Sequence, residues 1–282
     1  MAGKRRDAKG QTWALTRRLN PAAAAALLEV LRRAAPGEAA GSEVPARSGV
    51  NVTVVSGTPP TAERGWKRRK IPASAGKPKA PSKPVPVGKR WLVVPTSLRT
   101  PPRTERLLLR IEPGMAFGSG EHETTRLCLQ LLETLEPRRS FLDVGTGSGI
   151  LAIAALKLGF HWALGFDPDA VALRHARINA RLNDCSNRFR LRKARLESWR
   201  ALAPFEVIAA NLLAGLLATH AVRLASCLAP RGMLIASGLL RGQERQVSEA
   251  FRHAGLRPVR LLRAGHWSAF ALARPSATGK PR

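Results

Sequence analysis

Acidic residues are scarce in this chain: 19 Asp+Glu stand against 47 Lys+Arg in 282 residues, a formal net charge of +28. Two readings of that balance stay open. One is a nucleic-acid or ribosomal partner drawn by a positive field. The other is an Arg- and Ala-rich composition whose arginines sit on solvated faces. The charge is spread out, with 23 Lys+Arg and 6 acids in residues 1–110 and 24 and 13 in residues 111–282, so no single basic tail explains it. Cysteine is scarce too. Cys128, Cys185 and Cys227 are odd in number and far apart, which suits a reducing compartment and offers neither a disulfide framework nor a zinc site. No apolar run approaches 18 residues, so no transmembrane helix is expected. The opening "MAGKRRDAKG" lacks an apolar stretch after its charges and does not read as a secretory signal. The expectation is a soluble cytoplasmic protein.

What is present falls into segments. Residues 1–56 read as a small α+β, βαβ-like piece, with strands at 12–16 and 50–56. A helix between them starts with Asn20 as N-cap and Pro21 at the first helical position. Residues 57–110 read as a Pro/Lys-rich extended linker followed by lead-in strands at 91–95 and 106–113. "WKRRK" (66–70) within it offers nonspecific phosphate contact, although a solvated charge run is the plainer reading. From 111 to 274 strand and helix patterns alternate. Strands are expected at 141–144, 162–167, 189–193, 205–211 and 232–238. Helices are expected at 124–136, 149–158, 169–182, 214–228 and 242–254, and a closing antiparallel hairpin at 257–263 and 267–273. That alternation predicts an α/β Rossmann-like domain, a mostly parallel doubly wound sheet that binds ligands at the carboxyl ends of its strands. Residues 275–282 read as a disordered tail.

The chemistry concentrates in four stretches. "FLDVGTGSGI" (141–150) puts Gly145, Gly147 and Gly149 between a strand and a helix. Glycine permits a sharp turn and close approach of a ligand, and the helix N-terminus favours polar groups there. A dinucleotide fingerprint reads G-x-G-x-x-G/A, and here the third glycine comes one residue early. Asp143, just before the loop, would repel a pyrophosphate and attract a cation. S-adenosyl-L-methionine carries an ammonium and a sulfonium and no phosphate, so this loop favours it over NAD. Asp167 ends the second strand 22 residues after Gly145, where an acid accepts from both ribose hydroxyls. Asn211 ends the fourth strand of this run and is read as a cofactor contact or as positioning the nucleophilic nitrogen; N-cap of the next helix is the plainer reading. Before the sheet, "EPGMAFGSGEHETT" (112–125) carries His122, Thr124 and Thr125 into a helix. No metal is expected, because H-E-x-x-H would need His where Arg126 stands.

Together "PGMAFGSGEHETT", "FLDVGTGSGILAIAALKLG", "GFDPDA" with "NARLN", and "NLLAGLL" resemble the ribosomal protein L11 methyltransferases (PrmA-type), over about residues 86–255. The resemblance implies a class I S-adenosylmethionine-dependent protein methyltransferase fold joined to a small N-terminal substrate-recognition region. It implies cofactor contacts at Thr125, Gly145, Asp167 and Asn211, to which the residue reading adds Asp143 and Gly147. It also implies methylation of lysine or N-terminal amino groups of a ribosomal protein, before or within assembly of the large subunit. Ser119 stands where that family has Thr, keeping the hydroxyl.

A free lysine titrates near 10.4, so only roughly one in two thousand is neutral at pH 7, and the site must desolvate it or help remove its proton. Glu121, His122 and Glu206 fall in suitable stretches for a base, but none is convincing; positioning is expected to carry the rate. Three other readings stay in view. A class I RNA methyltransferase fits the charge, but Leu212 and Leu213 after Asn211 offer no stacking platform. A silent ribosome- or RNA-binding module would need an emptied cofactor site. An NAD-dependent oxidoreductase is disfavoured by Asp143 and the early glycine.

Overall fold

Alternation along the central strands decides the architecture. In the computed structural model the described residues are the strands within 11–72, and residues 83–98, 103–112, 120 and 122–275. The chain divides into two compact units, Met1–Pro78 and Lys79–Arg282.

In the first unit β1 (Gln11–Leu19), β2 (Ala39–Ala46), β3 (Gly49–Ser56) and β4 (Lys67–Pro72) form one antiparallel sheet in the order β2-β3-β1-β4. The two strands read from sequence are present. They pair antiparallel with each other, however, not as the parallel pair of a βαβ unit. β2, two residues before β3, pairs antiparallel with it as well, since so short a connection allows no crossover. The helix expected from Asn20 lies outside the described residues. Part of the expected linker is a strand: "KRRKIP" forms β4 at the sheet edge. Lys and Arg are common on edge strands because their charge discourages further pairing.

In the second unit β5 (Val85–Val87), β6 (Trp91–Pro95) and β7 (Leu107–Ile111) make a small sheet, β5–β6 antiparallel and β6–β7 parallel. Then follow α1 (Glu123–Leu132), β8 (Ser140–Val144), α2 (Ile150–Leu158), β9 (Trp162–Asp167), α3 (Ala170–Leu182), β10 (Phe189–Lys193), β11 (Phe205–Asn211), α4 (Ala214–Thr219), α5 (Ala221–Ser226), β12 (Leu228–Leu240), α6 (Glu244–His253), β13 (Arg257–Ala264) and β14 (Trp267–Ala273). The seven-stranded sheet runs β10-β9-β8-β11-β12-β14-β13. Its first five strands are parallel, and β14 and β13 close it antiparallel.

Side chains alternate between two cores, as a pleated strand requires. Phe141, Ala163, Val207, Ala209 and Ile235 pack with α1, α2, the inner face of α3 and the small sheet. Leu142, Val144, Leu164, Ile208, Ala210 and Leu234 face the opposite layer, with α4, α5 and α6. One helix expected over 214–228 is two, broken at His220 (φ −106, ψ 15). The chain must also turn into β12 four residues earlier than expected, where Leu228 pairs with Phe205 before an irregularity. Strand order reverses beside β8, between β9 and β11. In open α/β sheets that is where a crevice forms at the carboxyl ends. Among the described residues no helix is long and apolar enough to cross a membrane.

Candidate functional site

The glycine loop sits at that reversal. Gly145, Gly147 and Gly149 all have positive φ, 68, 53 and 80, a region that other residues enter only at a cost. The Gly145 and Thr146 amides both donate to Phe166 O, at 2.9 and 3.0 Å, and the Gly149 amide donates to Thr146 O at 2.8 Å. A Cβ on Gly145 would lie 2.8 Å from Leu212 Cδ2, so the Leu212 side chain fills the space beside the loop.

Gly149 precedes α2 and has no side chain with which to cap it. The strand before the loop supplies the cap instead. Asp143 Oδ2 accepts from the Thr146 hydroxyl at 2.8 Å and from the Ala152 amide, the third residue of α2, at 3.2 Å. Asp143 is 2% exposed, so it lies under the loop. Burial outweighs these hydrogen bonds and raises its carboxyl to about 7, with the nearby Asp167 charge adding to the rise.

Asp167, at the end of β9, is half-buried and reaches back to the loop. Its Oδ2 accepts from the Gly147 amide at 3.0 Å and its Oδ1 from the Asp169 amide at 2.9 Å. Asp169 is the N-cap of α3, accepting from Val171 N. The two main-chain bonds fix the Asp167 carboxylate beside the glycine loop.

Across β11, Asn211 is brought to the start of α1. Its Nδ2 donates to Thr124 Oγ1 at 3.2 Å and to Thr125 Oγ1 at 3.4 Å, with both threonines buried. His122 caps α1, its Nδ1 accepting from Thr124 N at 3.3 Å and lying 2.8 Å from Thr124 Oγ1. With Nδ1 accepting, the neutral ring carries its proton on Nε2. Burial lowers the His122 pKa, against the pull of Glu123, which keeps the ring neutral at pH 7. Trp267 packs edge-on against it, 5.0 Å between centroids. A chain of hydrogen bonds therefore runs from Asn211 through Thr124 to His122.

The geometry thus gathers Thr125, Asn211, Gly145, Gly147 and Asp167 at one end of the parallel sheet, with Asp143 beneath. That is the arrangement in which comparisons with known proteins become informative. The family described as "Ribosomal protein L11 methyltransferase (PrmA)" matches residues 75–275. This chain belongs to that family. A ribosomal protein L11 methyltransferase of Chloroflexus aurantiacus is 39% identical over 213 residues, covering 67% of this chain and 65% of that protein. One of Thermus thermophilus is 45% identical over 167 residues, covering 59% and 65%. The chain thus spans 65% of the length of these relatives. A crystal structure of a ribosomal protein L11 methylase from Lactobacillus delbrueckii subsp. bulgaricus superposes with a TM-score of 0.63 at 32% identity, covering 68% of this chain and 98% of that one.

Some expectations change. Glu206 is no base for this site: it lies near the amino end of β11 and accepts from the Arg139 and Ser140 amides at 2.6 and 3.2 Å. Glu121 and Ser119 lie outside the described residues. Leu212 entered the sequence reading only as offering no stacking platform, and Asn179 only as part of "NARLN". A leucine beside a glycine loop carries no local signal. A polar residue on the buried stripe of α3 does. The described residues contain no cluster of three His, Cys, Asp or Glu able to hold a metal ion. Cys128, Cys185 and Cys227 are buried and free, and burial pushes the Cys128 thiol up to about 12.

Proposed function

We propose that the chain is an S-adenosylmethionine-dependent methyltransferase that transfers methyl groups to amino nitrogens, lysine or N-terminal, of a large-subunit ribosomal protein in the cytoplasm. The observation that carries this reading is that Thr125, Gly145, Asp167 and Asn211 lie at the carboxyl end of the parallel sheet in a chain of this family. The residues fit such a cofactor: Gly145 and Gly147 hold the loop in positive-φ conformations that leave it without side chains, and Asp167 is held where ribose hydroxyls are bound in related folds.

The bound cofactor supplies an electrophilic methyl group. The protein supplies binding and orientation. Asp167 and the glycine loop hold the ligand. Asn211, its Nδ2 engaged by two threonine hydroxyls, presents its carbonyl oxygen as an acceptor for an incoming amine. A neutral amide there does not hold the amine in its protonated form as a carboxylate would. The His122 Nδ1 lone pair is engaged as the cap of α1, so deprotonation by water before attack accounts for the chemistry better than a histidine base. Residues 1–56 are read as the substrate-recognition region, and the basic stretch at 66–70 as a nonspecific RNA contact.

The test is label transfer. Purified protein is incubated with radiolabelled S-adenosylmethionine and ribosomal subunits, and protein is separated from RNA. Label is expected in a large-subunit protein. Label only in RNA would refute the protein-substrate reading and favour the RNA methyltransferase alternative.

A further inference from the structure

Asn179, the first residue of "NARLN", is fully buried in α3 and has been given no role at the site. Both ends of its amide are used. Nδ2 donates to Ser148 O in the glycine loop at 2.8 Å, and Oδ1 accepts from the Glu112 amide, just after β7, at 2.7 Å. The orientation is unambiguous, since Ser148 O can only accept and the Glu112 amide can only donate. One turn later Asn183, also buried, does similar work on the same strand. Its Oδ1 accepts from Arg110 N at 3.0 Å, and its Nδ2 donates to Arg110 O at 2.7 Å and Asn179 O at 2.8 Å. The two side chains differ in one respect: only Asn179 reaches the glycine loop.

That difference matters because of what flanks Ser148. Gly147 and Gly149 both have positive φ. Glycines have the widest choice of backbone conformations, so the peptide groups between them are the easiest in the loop to rotate. The Ser148–Gly149 peptide is held from both sides. Its N–H donates to Thr146 O within the loop, and its C=O accepts from Asn179 on a rigid helix. We infer that Asn179 is a positioning residue for the cofactor: it fixes the glycine loop in its binding conformation and ties it to β7 through Glu112. The inference rests on the proposed methyl-donor site.

The experiment is calorimetric titration of S-adenosylhomocysteine into the full chain and into Asn179→Ala and Asn183→Ala, with thermal midpoints measured in parallel. Both variants lose buried hydrogen bonds and both should melt earlier. Asn179→Ala should also bind about tenfold more weakly, as for one lost buried hydrogen bond, while Asn183→Ala stays within about twofold of wild type. Equal affinities for the two variants would overturn the inference and leave the cofactor reading standing. A wild-type chain that does not bind would overturn both. If Asn179→Ala does not fold, Asn179→Asp serves. Protonated, the aspartic acid keeps a donor for Ser148 and an acceptor for Glu112. Its affinity, as a ratio to wild type, should rise as pH falls; a ratio that stays flat with pH would overturn the inference.

Discussion

Asp143 gives the residue scale its clearest pH consequence. Burial raises its carboxyl from the ordinary 3.8 to about 7. The folded chain therefore holds this proton where the unfolded chain has lost it. The stability it contributes is fully present below pH 3.8 and is lost as pH rises through about 7. Its share of the stability–pH slope between those limits is a loss of about 1.4 kcal/mol per pH unit. Asp143→Asn keeps an acceptor for Thr146 and Ala152 and cannot ionise. Urea unfolding across pH 4 to 8 should show a less negative slope for the variant in that window. An unchanged slope would mean that the carboxyl is not buried as described. Gly145 gives the second prediction. Gly145→Ala places a Cβ at φ 68 and 2.8 Å from Leu212 Cδ2, a backbone cost of about 1–2 kcal/mol before any clash. It should lower the thermal midpoint and weaken S-adenosylmethionine binding, and adding Leu212→Ala should recover only the steric part. At this scale Asp167, Asn211 and the glycines were legible because they end strands or open a turn. Which way Asp143 faces was not, since spacing does not say whether a carboxylate at a strand end meets the ligand or the helix behind the loop. Asn179 and Asn183 were half-legible. Asn179 shares the buried stripe of α3 with Ala172, Ala176 and Ala180, and Asn183 is the buried C-cap of that helix; amides so placed must find partners.

At the scale of elements, the small sheet is fastened to α1 by one carboxylate. Glu133, just past the end of α1, accepts from the Lys89 amide with both oxygens at 3.1 Å and from the Arg90 amide at 3.0 Å, while Trp91 Nε1 donates to Leu129 O at 3.0 Å. Glu133→Ala should destabilise the chain by on the order of 1–2 kcal/mol, since main-chain donors lose a charged acceptor. Amide exchange should speed up first at Lys89 and Arg90; protection unchanged there would show that the β5–β6 turn holds itself. Helix α1 stops at Leu132, short of the expected 136: Glu133 keeps helical dihedrals as the C-cap, and the Thr134 and Leu135 amides turn back to Leu131 O and Leu132 O in a tighter final turn. Strands β8, β9 and β11 were readable because each is a short, largely apolar run bounded by Gly, Pro or Asn. The break at His220 and the strand at 67–72 were not. A two-helix bend in an Ala/Leu-rich stretch leaves no punctuation, and a run of four cations reads as solvated until a partner strand appears.

At the scale of the whole molecule, the two units differ in how far sequence reasoning reached. The alternating pattern after residue 111 specifies a doubly wound sheet, because parallel strands buried on both faces permit few other arrangements. Before residue 78 β1 pairs with β3 and β4, both far from it in sequence, so pattern alone could not separate a βαβ unit from the antiparallel sheet that forms. The charge of +28 spans both units and does not by itself choose between a ribosomal protein and RNA. We propose that the carboxyl end of the parallel sheet binds a methyl donor through Asp167 and the glycine loop. The direct measurement is calorimetric titration of S-adenosylmethionine into wild type and Asp167→Ala. Saturable binding by wild type is predicted, weakened in the variant by on the order of 1–3 kcal/mol, as for a lost charged hydrogen-bond partner. Absence of binding by wild type, or equal affinity in a folded Asp167→Ala variant, would contradict it.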